Sequence, residues 1–209
     1  MKLPPVPILS DLDGTLIESK ESVVSAFKWW AELKGLAEDT VTRIPFGRTS
    51  TDAAAVLAPH LDCVEEGRLL DERQKKNTEG VVALAGAKEL LTNHHPLAIV
   101  TSCPRPLAEA RLSAAGLPIP KVLLTPECWL HGKPDPEPYQ RGAQSLGVAP
   151  TACVVLEDAP SGVESGVRAG MRVVALLTTH RAEQLAGAVC HIKSLLELPR
   201  VLASLGWLV

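Results

Sequence analysis

The spacing of apolar residues changes along the chain, and the change falls near residue 80. Between residues 18 and 80 apolar side chains recur at helical spacing, as in the stripe from Val23 to Leu33 that runs up to Gly35. Two further helices are predicted at about 51–57 and 64–76, and this stretch shows no strand pattern. The pattern predicts a compact, all-helical insert.

After Gly80 short apolar runs alternate with helical segments. The predicted strands of this part follow one another at 97–101, 122–125, 152–157 and 172–176. The predicted helices lie between them at 106–115, 137–146 and 161–169. A first strand at 6–12 precedes the insert. Alternation of this kind indicates a parallel sheet with right-handed crossover helices.

We therefore predict an α/β fold, with a Rossmann-like parallel-sheet core and an inserted all-helical cap domain. Residues 1–17 and 81–209 form the core, and residues 18–80 form the cap. The two connections between them, at 16–19 and 79–86, are predicted hinges.

Composition and charge restrict the partners and the compartment. The net charge is −3, and no run of Lys or Arg indicates a surface for nucleic acid or for an anionic membrane. The proline-broken start does not resemble a signal peptide, and no apolar stretch approaches the ~20 residues of a transmembrane helix. Five widely spaced cysteines without a Cys-x-x-Cys pair favour a reducing compartment. We expect a cytoplasmic monomer.

Polar side chains follow several predicted strands where each strand ends. Because parallel strands have their carboxyl ends at one edge of a sheet, these side chains should lie together, at the edge where open α/β sheets bind ligands. The residues at this edge are Asp11, Asp13, Thr101, Ser102, Glu157 and Asp158, joined by Lys133 from a loop.

This combination of groups suits phosphoryl transfer. A carboxylate that attacks a phosphate meets like-charge repulsion, which Lys133 and a bound metal would offset. Mg2+ prefers oxygen ligands, and Asp11 and Asp158 are natural carboxylate ligands for it. The Thr101 hydroxyl and the backbone N–H groups around Ser102, at the start of a helix, would bind the phosphate, and both hydroxyls are expected to cap that helix.

Asp11 and Asp13 are two residues apart, so in a flat strand their side chains would face opposite ways. Both can reach one ligand only if the chain turns, and Gly14 is predicted to supply that turn. Asp13 could then act as the acid while Asp11 attacks.

These motifs, in this order, resemble the haloacid dehalogenase superfamily over essentially the whole chain. Asp11-Leu12-Asp13-Gly14-Thr15 resembles its first motif, Thr101-Ser102 its second, Lys133 its third and Glu157-Asp158 its fourth. The resemblance implies Asp11 as nucleophile, an aspartyl-phosphate intermediate and Asp13 as general acid and then base. It also implies Mg2+ bound by Asp11, the Asp13 backbone carbonyl and Asp158, with Glu157 in support.

Within that superfamily the chain is similar to bacterial sugar-phosphate and polyol-phosphate phosphatases. The similarity rests on the segments 45–49, 115–118, 132–136 and 157–163. It implies that the substrate is a small phosphorylated metabolite. Arg48 and Glu18 are candidates for contact with that substrate. An exposed arginine at a helix start is a close alternative for Arg48, and Glu18 could instead only begin the cap.

Two other features have plain interpretations. The pair His94-His95 lacks further metal ligands at a suitable spacing and is expected to be surface. Cys103 adjoins the predicted phosphate site and is interpreted as a passive small residue, with oxidation sensitivity as the alternative.

Three other functions remain to be weighed. The phosphomutases that the chain resembles carry a histidine twelve residues after the nucleophile, where this chain has Val23. A dehalogenase is disfavoured because Asp13 is present, and a non-catalytic binding module would show an eroded motif, which this chain does not. Phosphoglycolate remains an alternative substrate for a phosphatase. The sequence therefore predicts a Mg2+-dependent phosphatase of small phosphate monoesters.

Overall fold

The computed structural model of the chain describes residues 6–93 and 96–206, so His94 and His95 lie outside the described residues. The strands are β1 Ile8–Ser10, β2 Ile17–Glu18, β3 Val82–Ala83, β4 Leu97–Val100, β5 Leu123–Leu124, β6 Val154–Glu157, β7 Arg172–Leu176 and β8 Cys190–Ile192. The α-helices are α1 Lys20–Lys34, α2 Ser50–Leu57, α3 Cys63–Lys76, α4 Ala87–Asn93, α5 Arg105–Ala114, α6 Glu137–Leu146, α7 Pro160–Arg168 and α8 Leu198–Ser204.

Six parallel strands form the main sheet in the order β5–β4–β1–β6–β7–β8. Strand β1 lies at its centre, and Ser10 is in register with Ile99 on one side and with Leu156 on the other. The chain passes from β1 to β4 and β5, and then returns to the other side of β1 to form β6. Open α/β sheets bind their ligands at such a reversal of strand order, which here lies between β1 and β6.

Both faces of the sheet are covered by helices. Successive side chains of a strand point to opposite faces, and accordingly Ile8 belongs to one hydrophobic cluster and Leu9 to another. The first cluster includes Leu90 of α4, Leu112 of α5 and Leu202 of α8. The second includes residues of α6 and α7. The strands therefore read as continuous apolar runs, as expected for a buried parallel sheet.

Helices α1, α2 and α3 have a hydrophobic cluster of their own. Its centre is Trp30, whose side chain is fully buried and whose indole N–H donates to Glu66 Oε2 at 2.7 Å. Phe27 meets the Trp30 ring edge to face, with the ring centroids 6.0 Å apart. Helix α3 also packs against α5 of the sheet-bearing part, so these two helices connect the helical insert to the rest of the fold.

The two predicted hinges contain strands that pair with each other. Ile17 of β2 is in antiparallel register with Ala83 of β3, and Glu18 with Val82. The prediction that residues 18–80 contain no strand is therefore wrong at Glu18. The two connections run side by side, and pairing satisfies backbone groups that would otherwise need solvent.

Element boundaries differ from the prediction by one to two residues at most ends. The helix predicted at 137–146 and the strand at 172–176 match α6 and β7. The first strand is shorter than predicted, and α4, β8 and α8 were not predicted, because their apolar runs are brief. Among residues 6–93 and 96–206, no helix is long and apolar enough to cross a membrane.

The Trp30 contacts lead to a stability prediction. Trp30→Ala should lower the free energy of unfolding by about 3–5 kcal/mol, because it removes a fully buried aromatic side chain. Trp29→Ala is the matched control and should cost less, since the Trp29 ring is only partly buried against the same hydrophobic cluster and also contacts Arg73 through a cation–π interaction worth about 0.5–1 kcal/mol. Urea denaturation followed by circular dichroism measures both losses. Equal losses would contradict a hydrophobic cluster of the helical insert that is centred on Trp30.

Candidate active site

Asp11 and Lys133 form a buried ion pair at the carboxyl end of β1. Lys133 Nζ lies 2.6 Å from Asp11 Oδ1, and the side chains are 0% and 7% exposed. The same ammonium donates to Glu157 Oε1 at 2.7 Å and to the Val100 carbonyl at 3.0 Å. All three N–H donors of Lys133 are therefore used, which fixes the ammonium beside Asp11.

Glu157 is the last residue of β6, and hydrogen bonds engage both of its carboxylate oxygens. Oε1 accepts from Lys133 and from the Tyr139 hydroxyl at 2.8 Å. Oε2 accepts from the backbone N–H groups of Asp158 and Ala159, at 3.0 and 3.2 Å. Glu157 thus positions both Lys133 and the turn between β6 and α7.

Asp158 lies directly above the turn that follows Asp11. Thr15 Oγ1 donates to Asp158 Oδ1 at 3.1 Å, and the Thr179 hydroxyl donates to Oδ2. Gly14 has φ +79°, so the turn predicted at this residue is present. A Cβ on Gly14 would lie 2.2 Å from Asp158 Oδ2, so glycine is needed here both for its conformation and for this close approach.

The cluster of Asp11, Glu157 and Asp158 contains more negative charge than Lys133 neutralises. The three carboxylates can bring oxygens within 4.8 Å of one another, and all three residues are buried. Burial raises the pKa of Asp11 to about 7, although Lys133 acts in the opposite direction. Burial and the neighbouring carboxylates also raise the pKa of Asp158. Buried oxygens with excess negative charge fit a hard divalent cation, which would supply the missing positive charge.

Lys133 itself stays charged in this environment. Burial acts to lower its pKa, but the carboxylates of Asp11 and Glu157 outweigh that effect and hold the pKa above its usual value. The ammonium is therefore a permanent positive charge next to Asp11. Such a charge would stabilise an anionic group bound at this position.

The Asp13 side chain lies apart from this carboxylate cluster. Its Oδ1 accepts from Ser19 Oγ at 2.6 Å and pairs with Arg111 Nη1 at 2.8 Å. Its Oδ2 accepts from the Cys103 thiol at 2.9 Å. Ser19 precedes α1 and makes no capping hydrogen bond, and its hydroxyl donates to Asp13. The structure therefore places the Asp13 side chain outside the carboxylate cluster, while a role for its backbone carbonyl remains a prediction.

Thr101 and Ser102 follow β4 as predicted, but their hydroxyls do not cap α5. The N-cap of α5 is Pro104, which makes no side-chain hydrogen bond. Thr101 Oγ1 accepts instead from the Cys103 N–H at 3.1 Å, and Ser102 Oγ donates to the Gly47 carbonyl at 3.0 Å. Ser102 therefore contacts the loop of the helical insert directly.

A cleft lies between the sheet edge and the helical insert. Its volume is about 710 Å3, opening included, which is within the range of small-molecule sites. Its lining includes all but two of the predicted site residues: Asp11, Asp13, Glu18, Arg48, Thr101, Ser102 and Asp158. Lys133 and Glu157 lie beneath Asp11. Val23 also lines the cleft.

Several polar residues of the cleft were not predicted from the sequence, among them Asp71, Gln74 and Arg111. One feature of the sequence could have identified Arg111: it is a charged residue among the apolar positions Leu107, Ala108 and Leu112 on the buried face of α5. Asp71 and Gln74 belong to no motif. Cys103 is half-buried, desolvation raises the pKa of its thiol, and the thiol donates to Asp13. Its interpretation as a passive small residue did not include that hydrogen bond.

Comparisons with known proteins show that this chain is similar to proteins named as phosphatases. Hexitol phosphatase A of Escherichia coli K12 is 43% identical over 175 residues, which cover 80% of this chain and 81% of that protein. Validoxylamine A 7'-phosphate phosphatase of Streptomyces hygroscopicus subsp. limoneus is 38% identical over 207 residues, covering 91% and 94%. The crystal structure of CbbY from Rhodobacter sphaeroides in complex with phosphate has a TM-score of 0.80 at 26% identity, covering 94% of this chain and 96% of that chain.

The predicted resemblance and fold class are confirmed by these matches. The sequence profile of the family described as haloacid dehalogenase-like hydrolase matches residues 8–176, which is most of the chain. The chain therefore belongs to the haloacid dehalogenase-like hydrolases.

Proposed function

We propose that this chain is a phosphatase that hydrolyses small sugar or polyol phosphates, with Asp11 as the nucleophile. The observation that carries the proposal is the buried Asp11–Lys133 pair at the base of the cleft, 2.6 Å apart. A carboxylate held against an ammonium stays available for attack, while the positive charge offsets repulsion from the substrate phosphate.

The reaction has two steps, and Asp13 loses a proton in the first step and regains one in the second. In the first, a carboxylate oxygen of Asp11 bonds to phosphorus, the ester bond breaks, and Asp13 gives its proton to the departing alkoxide. In the second, Asp13 takes a proton from a water molecule, whose oxygen attacks phosphorus and releases Asp11 and inorganic phosphate. General acid–base help of this kind is worth about 10²–10⁴-fold in rate.

The carboxylate cluster fits Mg2+. Asp11 and Asp158 would bind it, together with the Asp13 backbone carbonyl that the family resemblance implies. Glu157 would act mainly by positioning Lys133 and the turn before α7, because four hydrogen bonds already occupy its oxygens. When bound, the metal supplies positive charge that stabilises the phosphoryl group during transfer.

Thr101, Ser102 and Lys133 would hold the phosphate. Thr101 and Ser102 line the cleft next to Asp11, and the Lys133 ammonium lies at its base. Ser102 also joins the core to the Gly47 carbonyl, so phosphate binding and cap position would be linked at this residue.

The remainder of the cleft supports a polar organic leaving group. Relatives of this chain are named for hexitol phosphate and for validoxylamine A 7'-phosphate, both of which suggest hydroxyl-rich substrates. Glu18 and Arg48 line the entrance and would contact the leaving group. In this proposal residues 18–80 are the cap, which closes over the core of 1–17 and 81–209. The monomeric state and cytoplasmic location remain predictions.

A substrate panel tests the proposal. The wild-type protein should release phosphate from hexitol, hexose and glycerol phosphates when Mg2+ is present, with kcat/KM higher for these than for phosphoglycolate. Asp11→Asn should lower kcat by at least about 10³-fold, since the nucleophile is lost. The measurement is release of inorganic phosphate at fixed Mg2+, and Asp135→Asn in the nearby loop serves as a matched control.

Two outcomes would contradict the proposal. If the wild-type protein released no phosphate from any ester, it would not be a phosphatase. If an added sugar captured the phosphoryl group in preference to water, the protein would be a phosphomutase, which Val23 at the histidine position argues against.

Gly162 supplies a further prediction about Lys133. A Cβ on Gly162 would lie 1.7 Å from Glu157 Oε1, so Gly162→Ala must displace the carboxylate that holds Lys133. We expect kcat to fall by about 10–100-fold, because Lys133 loses its fixed position beside Asp11. Gly132→Ala is the control, since its Cβ would meet nothing nearer than Trp129 at 3.8 Å. Equal phosphatase rates for the two variants would show that Glu157 does not position Lys133.

A further inference from the structure

Arg111 is a buried cation for which the two-step reaction has no use. It lies on α5 and is only 2% exposed. Its Nη1 pairs with Asp13 Oδ1 at 2.8 Å and donates to Cys103 Sγ at 2.8 Å. Its Nη2 donates to Gln74 Oε1 at 2.7 Å. The two ends of the guanidinium thus contact the proposed acid on one side and the cap on the other.

Stability alone does not account for this arginine. Burying a guanidinium carries a large desolvation cost, and an apolar residue of similar size is often no worse for folding. Arg111 Nε adds to that cost, because it is buried without a hydrogen-bond partner among the residues that the structure describes. An unsatisfied buried donor of this kind is rare and requires an explanation.

Three donors converge on the Asp13 carboxylate, but they differ in how firmly they are held. Ser19 lies in the connection that leads into α1, and Cys103 lies in the turn before α5. Arg111 comes from within a helix and is buried on the same face as Leu107 and Leu112. It is therefore the most rigidly placed of the three donors.

The cap end of Arg111 is also held in place. Gln74 is 3% exposed on α3, and its amide nitrogen donates to Ser50 Oγ at 3.2 Å and to the Leu70 carbonyl at 3.3 Å. Ser50 in turn donates to Asp71 Oδ1 at 2.6 Å. A continuous series of hydrogen bonds therefore runs from α2 and α3 of the cap through Arg111 to Asp13.

We propose that Arg111 is a positioning residue for Asp13, which it holds beside the leaving-group side of the cleft and ties to the cap through Gln74. The inference rests on the proposed function, in which Asp13 protonates the leaving group. Arg111 touches neither phosphate nor metal in this account. Its effect therefore depends on how much the leaving group needs a proton.

Leaving-group dependence separates this role from a structural one. An alkoxide from a polyol phosphate must be protonated as it departs, whereas 4-nitrophenolate is stable without a proton. Arg111→Met should lower kcat/KM for hexitol phosphate by about 100-fold, and for 4-nitrophenyl phosphate by no more than about tenfold. Arg68→Met, on the exposed side of α3, is the matched control, since Arg68 pairs with Glu65 of the same helix, and it should change neither value by more than about twofold.

Two further variants guard against misfolding. Gln74→Met leaves the Arg111–Asp13 pair in place but removes the link to the cap, and should show a smaller loss with the same preference for the poor leaving group. Gln144→Met on the exposed side of α6 is its control. Arg111→Lys keeps the charge but cannot reach both partners, so it should recover part of the activity lost in Arg111→Met. Circular dichroism confirms the folding of each variant.

Several results would overturn the proposal. One is an equal loss of kcat/KM with both substrates in Arg111→Met and in Gln74→Met, which would mean that the residues only support the fold. Another is a full additional loss from Arg111→Met in an Asp13→Asn background, since a residue that acts through Asp13 should add little there.

A crystal structure of Arg111→Met tests the placement without any use of activity. The Asp13 carboxyl should leave the position seen here, 2.6 Å from Ser19 Oγ. If Asp13 stays in place, Arg111 does not position it. Absence of hydrolysis by the wild-type protein would instead defeat the proposed function, and the structural result would still decide the role of Arg111.

Discussion

The structure depends above all on one constraint, the burial of three carboxylates beside one ammonium. Lys133 uses all its donors to hold Asp11, Glu157 and the Val100 carbonyl, and this joins β1, β4 and β6 at one point. Burial still raises the pKa of Asp11 to about 7, because one positive charge does not offset the desolvation of the cluster. The site is therefore built to accept further positive charge, and binding that charge is what the proposed reaction requires.

The topology of the sheet explains why this cluster forms where it does. Strand β1 has β4 on one side and β6 on the other, so residues that follow three neighbouring strands meet at one edge. The helical insert enters directly after β1 and returns before β4, with β2 and β3 paired at its base. This arrangement places α3 over the cleft, where Gln74 reaches Arg111 at 2.7 Å. One end of the sheet thus holds the three carboxylates and Lys133, and the helical insert faces them across the cleft.

Much of the core and its site was predictable from the sequence, because both depend on local order along the chain. Strands that end in Asp11, Thr101 and Glu157 must bring those residues to one edge if the strands are parallel. The site residues that were missed reach the cleft only through the packing of elements that are distant in the sequence. Arg111 and Gln74 are in contact only because α3 packs against α5, and the sequence pattern does not predict which two helices pack together. The pairing of β2 with β3 was missed for a different reason: each strand has only two residues, which is too short for an alternating apolar pattern to be detected.

The excess of buried negative charge is tested most directly by thermal denaturation of wild-type protein and Asp158→Asn, each with and without Mg2+, near pH 8. Mg2+ at about 100 times its dissociation constant should raise the wild-type Tm by about 5–10 °C. Asp158→Asn should lose most of the response to Mg2+, because it removes one of the two carboxylates that would bind the metal. A wild-type Tm that ignores Mg2+, or an Asp158→Asn variant whose Tm rises with Mg2+ as much as that of wild type, would contradict the account.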